Sequence, residues 1–80
     1  MNPDITFRFG QVVRKLRLEQ NISQEELADR CGLHRTYISD IELGKRNVSL
    51  ENIERISISL NRSLSDLFKE VDLYESISWI

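Results

Sequence analysis

Apolar residues return along this chain at spacings of three and four, the period of helices with one face turned inward. Phe9, Val12, Val13 and Leu16 mark a first helix from Phe7 to about Gln20, with Arg8, Arg14, Lys15 and Glu19 on its other face. Leu27, Ala28 and Cys31 mark a second helix, Ile38 and Ile41 a third, and Leu50, Ile53, Ile56 and Leu60 a fourth. Leu64, Leu67, Phe68 and Val71 lie on a fifth. Its end is open, because Leu73, Tyr74, Ile77, Trp79 and Ile80 can continue it or fold back. Residues 1–6, with Pro3, show no period and are expected to form a loose arm. The pattern predicts an all-α, compact five-helix domain.

Polar and glycine positions punctuate these helices. Ser23 is placed to cap the second, with Glu26 completing a capping box and Ile22 and Leu27 forming a hydrophobic staple. Gly32 ends that helix where a left-handed residue is easiest. The third follows at once, with His34 at its cap and Leu33 and Ile38 as a second staple. Ser49 caps the fourth, flanked by Val48 and Ile53, and Ser63 with Asp66 opens the fifth. Asn21 and the Asn61-Arg62 pair are the expected stops. Two short helices around a glycine-containing turn, Ser23 to Gly44, are the signature of helix-turn-helix DNA binding.

Eighty residues make one domain, with a core over about 7–70 and residues 71–80 as an extension assigned to dimerisation. A hydrophobic content of 40% with 30% charge is ordinary for a soluble globular chain, and no apolar run approaches the ~20 residues of a membrane span. The first residues lack the pattern of a secretory signal, and a single cysteine forms no internal disulfide, so a cytoplasmic protein is expected. Net charge is −2, which argues against a nucleic-acid partner until its distribution is considered. Residues 1–47 hold eight Lys/Arg and seven Asp/Glu, whereas residues 48–80 hold three and six. Local field matters more than total charge.

With Ile38 and Ile41 turned inward, Thr36 and Asp40 point away from the core. Arg35 and Tyr37 flank that face, and Ser39 lies between Arg35 and Thr36. Arg35, Thr36 and Tyr37 fall in the first turn, whose free N–H groups and dipole attract phosphate. Cys31 belongs to an apolar stripe, and His34 has no partner at metal-ligand spacing. No Gly-rich phosphate loop, catalytic triad or paired-carboxylate site is present, so no enzyme, metal or cofactor is expected.

V-R-K-L-R in the first helix, S-Q-E-E-L-A in the second and I-E-L-G-K-R-N after the third resemble the lambda-repressor-like (Cro/CI-type, XRE-like) helix-turn-helix regulators over roughly residues 7–70. G-L-H-R-T-Y-I-S-D-I-E, then G-K-R-N and S-L, is most similar to the controller proteins of restriction–modification systems. The resemblance implies a regulator of transcription bound to the major groove of a pseudo-palindromic operator, with RNA polymerase as a further partner. Its positions imply Gln24 as a phosphate- or base-contacting residue. They imply Arg35, Thr36 and Tyr37 as the base-reading start of the recognition helix, and Lys45, Arg46 and Asn47 as a phosphate-contacting loop. Arg17 and Glu42 look like the family's interior ion pair, and Leu43 departs from the polar residue many members carry.

Each functional reading has a plainer rival. Arg35 can donate to guanine O6 and N7 or simply pair with a nearby acid. Thr36 can meet a thymine methyl or a phosphate. Tyr37 can meet DNA or be half-buried packing, and Asp40 can accept from cytosine N4 or act in structure or discrimination. Because one recognition helix reads only a few base pairs, a homodimer is expected. Leu67, Phe68, Val71, Tyr74 and Ile77, beyond what a small core needs, are its expected contact. The alternatives are a phage-type or other small repressor of the family and an antitoxin-like protein-interaction module.

Overall fold

Side-chain oxygens set four of the five helix starts. The computed structural model describes the backbone of residues 4–77 and the side chains of residues 4–74. Its helices are α1 (Ile5–Glu19), α2 (Gln24–Cys31), α3 (Arg35–Glu42), α4 (Leu50–Ser59) and α5 (Leu64–Ile77). Ser23, Ser49 and Ser63 accept from the backbone N–H groups of Glu26, Asn52 and Asp66 at 3.0, 3.2 and 3.0 Å. The capping box is only half made, because the Glu26 carboxylate pairs with Arg30 at 2.6 Å, one turn further along. Asp4 caps α1 by accepting from the Phe7 N–H at 3.0 Å. The helix therefore begins at Ile5, and residues 4–6 are not the loose arm expected of them. The Thr6 hydroxyl, with that N–H, holds the Asp4 carboxyl below its usual range. Residues 1–3, Trp79 and Ile80, and the Ile77 side chain lie outside the described residues.

The helix ends share one device. Asn21, Gly32, Gly44 and Asn61 all have φ between 57° and 76°, in the left-handed region. At each, that residue's N–H and the next reach back to carbonyls of the last turn, as in Gly44 to Ile41 at 3.0 Å and Lys45 to Asp40 at 2.9 Å. This is the Schellman arrangement, which satisfies carbonyls that a helix end would otherwise leave open. Gly44 also lies against α1, where an added Cβ would come within 3.0 Å of the Phe7 Cα.

α1 packs on α3 and α5, α2 packs on α3 and α4, and α4 closes on α5. Val13, Leu27, Ile38, Ile56, Leu60 and Leu67 are all fully buried where these helices meet. Gly10 brings α1 onto α3 at backbone distance, since a Cβ there would overlap the Ile41 carbonyl oxygen. Cys31 is buried beside the Ser59 hydroxyl at 3.4 Å, and burial pushes its thiol up. Among the described residues no helix is long and apolar enough to cross a membrane.

Two expectations about the later helices fail. Leu50 is 82% exposed and stands outside the core. At about 100° per residue, the spacing of three drifts backwards, leaving Leu50 about 100° from the centre of the Ile56 and Leu60 face. On α5, Leu67 and Val71 are 0% and 1% exposed within the chain's own core, which leaves neither for a partner. Tyr74 is half-buried and tilts against Phe7, with ring centroids 6.4 Å apart. Of the expected dimer residues with described side chains, Phe68 keeps the largest open surface, although it also stacks on Phe9 at 6.1 Å.

One ion pair ties the first three helices together. Arg17 Nε donates to Glu42 Oε2 at 2.7 Å, and Nη2 donates to Oε1 at 3.0 Å. The third guanidinium nitrogen donates to the Ile22 carbonyl at 2.9 Å, closing the turn between α1 and α2. Gln24 Nε2 adds a bond to Glu42 Oε1 at 3.0 Å, and Gln11 Nε2 donates to the Glu42 carbonyl at 3.2 Å. No buried side-chain nitrogen or oxygen among the described residues is left without a partner.

Arg17→Ala strands a carboxylate that is only 2% exposed, and the loss expected is about 3–5 kcal/mol of stability. Urea unfolding measures it, and a loss below about 0.5 kcal/mol would mark the pair as incidental. The two glycine ends should differ. Gly32→Ala meets no atom within 4 Å and carries only left-handed strain, about 1–2 kcal/mol. Gly44→Ala adds the collision with Phe7 and should lose clearly more in the same assay. Equal losses would mean that α1 yields there.

Candidate nucleic-acid interface

Gly32, in the left-handed conformation at φ 69°, turns the chain from α2 into α3. Leu33 is half-buried against the core, and His34 occupies the N-cap with extended backbone. His34 holds the cap position expected of it, but its side chain makes no capping bond. Imidazole is a poorer cap than the short oxygen-bearing side chains used at the other starts. The amino-terminal end of α3 is therefore not occupied by a side chain, and its dipole and free N–H groups are open to an anion.

α3 divides into two faces. Ile38, Ile41 and Glu42 are buried, while His34, Arg35 and Thr36 are exposed. Ser39 and Asp40 are half-buried between them. Arg35 borders an open depression of about 630 Å³, shared with Ser23, Gln24, Glu25, Glu26, Asp29 and the edge of Arg17. Gln24 lines the same depression, and its amide nitrogen gives one of its two hydrogens to Glu42.

Tyr37 is half-buried and packs on the core, as the plainer reading of it allowed. Its hydroxyl accepts from Asn52 Nδ2 at 3.1 Å, which fixes the ring beside the recognition face. The Arg46 guanidinium lies over that ring, 5.2 Å from its centroid, within cation–π range. Arg46 Nε also reaches Asp40 Oδ2 at 3.3 Å. Lys45, Arg46 and Asn47 are all exposed in the loop that leaves α3 through Gly44. Tyr37 of α3 and Arg46 of the loop are thus brought together, while Arg35 borders the depression that α3 shares with α2.

Two members of this arrangement escape sequence reasoning. Asn52 carries no motif, and its part comes from its side chain reaching from α4 to the Tyr37 hydroxyl. The Asp40–Arg46 pair spans a helix end rather than one helix face, so no helical spacing announces it.

The helix-turn-helix family matches residues 13–67 of this chain. Control protein C.BamHI of Bacillus amyloliquefaciens is 59% identical over 68 residues, covering 84% of each chain. The crystal structure of the restriction-modification controller protein C.AhdI from Aeromonas hydrophila is 43% identical with a TM-score of 0.76, covering 79% of this chain and 96% of that one. The clp gene regulator ClgR from Corynebacterium glutamicum superposes with a TM-score of 0.93 over 98% of this chain and 83% of that one. At 23% identity, that likeness speaks for the fold alone.

Proposed function

The chain belongs to the helix-turn-helix family, and on that premise we propose that it is a sequence-specific DNA-binding transcriptional regulator, a homodimeric controller of restriction–modification gene expression. One observation carries the DNA reading. The uncapped start of α3 presents Arg35 and Thr36 to solvent, and Tyr37 of the same turn carries Arg46 of the exposed Lys45–Asn47 loop over its ring. A planar guanidinium at the front of a recognition helix suits guanine O6 and N7, and loop cations beside it suit the flanking phosphates. Gln24 and Ser39 border this surface and complete the proposed contact set with Tyr37. The kinship to two control proteins supports the role in restriction–modification systems.

A second copy has a surface to meet. Leu50, Ile53, Leu64 and Phe68 surround a depression of about 280 Å³ on the face shared by α4 and α5. Leu50, Leu64 and Phe68 are 82%, 41% and 36% exposed there. A contiguous apolar face is where an isologous contact forms, and a two-fold dimer reads two half-sites about one helical turn apart. This face replaces the contact expected of Leu67 and Val71.

Selection of bound sites from random duplex DNA should return two related half-sites. Arg35→Ala should cost about 1–3 kcal/mol per half-site and relax preference at one base position. Arg46→Ala should weaken the operator and each of its single-base variants by the same factor and flatten the salt dependence. If Arg35→Ala keeps every base preference, Arg35 is a backbone anchor and the assignment falls. Failure to retain sheared DNA even at low salt would favour the protein-interaction alternative.

Leu50→Glu with Leu64→Glu adds charge beside Glu51 and Glu54 at two exposed positions. Sedimentation should show this variant as a monomer where the unaltered protein is a dimer. An unaltered chain that stays monomeric at high micromolar concentration would overturn the dimer.

A further inference from the structure

Asp40 is an awkward residue to present to DNA, since a carboxylate near phosphates is repelled. In this structure it is not alone. Its Oδ2 accepts from Arg46 Nε at 3.3 Å, with side-chain exposures of 27% for Asp40 and 51% for Arg46. The same guanidinium lies over the Tyr37 ring at 5.2 Å, and Asn52 holds that ring by its hydroxyl at 3.1 Å. Arg46 is therefore held from two sides, although it belongs to an exposed loop. Only its Nε is engaged, and no protein hydrogen bond takes its terminal nitrogens among the described residues.

Resting on the DNA-binding reading above, we propose that Asp40 is a specificity-determining positioning residue that acts through Arg46. It fastens the loop cation to the recognition helix, so that the cation meets a phosphate only when α3 is seated in its groove. A free loop arginine would reach any phosphate on any duplex, and that term is independent of sequence. A restrained one has to break its contacts with Asp40 and Tyr37 to do so, and an unseated complex offers nothing in return. The seated complex presents the terminal nitrogens to DNA without that rupture. Discrimination is gained by weakening the wrong complexes rather than by adding a base contact.

The pair is exposed, so the expected effect is modest. Asp40→Asn should tighten binding to random duplex about two- to fivefold per half-site, with a steeper salt dependence, and change operator binding less. The ratio of operator to random affinity should therefore fall. A carboxylate that merely repelled phosphates would shift both duplexes alike and leave the ratio unchanged. The decisive comparison repeats Asp40→Asn in an Arg46→Ala background, where the ratio should no longer respond to it.

Four proteins and two duplexes at two salt concentrations make the test. Undiminished discrimination in Asp40→Asn overturns the proposal alone, because operator preference would persist and the regulator reading with it. An equal fall of the ratio with and without Arg46 also overturns it, since Asp40 would then act directly on a base. An unaltered protein that prefers no duplex over another overturns the regulator reading, and this inference with it.

Discussion

The buried pair of Arg17 and Glu42 is the constraint on which the rest of this small domain depends. Glu42 is the last residue of α3, and both its carboxylate oxygens are taken by the guanidinium of α1. The remaining arm of Arg17 holds the turn into α2, and Gln24 at the start of α2 joins the same carboxylate. Burying two charges is expensive, and a well-packed apolar pair could stabilise the fold as much. What an apolar pair would lack is direction. Several directed bonds converge here and fix how α3 is rotated about its axis, and hence which side chains face outward.

A second constraint operates at the helix ends. Because Asn21, Gly32, Gly44 and Asn61 each reverse the chain in the left-handed region, the connections are short and their carbonyls are satisfied locally. The Gly44 end matters most for function, since the loop bearing Lys45, Arg46 and Asn47 starts there. Its departure is fixed by backbone bonds to α3 and by contact with Phe7 of α1. The loop proposed to meet phosphate is thus tied to the helix proposed to read bases.

Local chemistry was legible in the sequence, and contacts between distant segments were not. The serine caps, both glycine turns and the two asparagine stops follow from neighbouring residues, and the structure has them where their spacing put them. The Arg17–Glu42 pair came from resemblance, because its partners are 25 positions apart. Asp4 escaped because its cap precedes the periodic stretch by which α1 was recognised. Leu50 misled because a spacing of three slides off a helix face over three turns. Leu67 and Val71 look surplus by periodicity, which shows which residues are apolar and not which of two surfaces they cover. Asp40, Arg46, Tyr37 and Asn52 meet only once the chain is folded, through side chains from α3, its following loop and α4.

The division of α3 into two faces has a further consequence for how such a protein changes over time. Ile38, Ile41 and Glu42 hold the helix in place, whereas Arg35 and Thr36 make no part of the core. On the proposed reading, Arg35 and Thr36 choose the DNA sequence, and they can vary while the scaffold stays intact because neither belongs to the core. Tyr37 is the exception, since it packs inward and also carries the cation above it. A lineage acquiring a new target has wide latitude at Arg35 and Thr36 and little at Tyr37, where each change is tested against folding and recognition together.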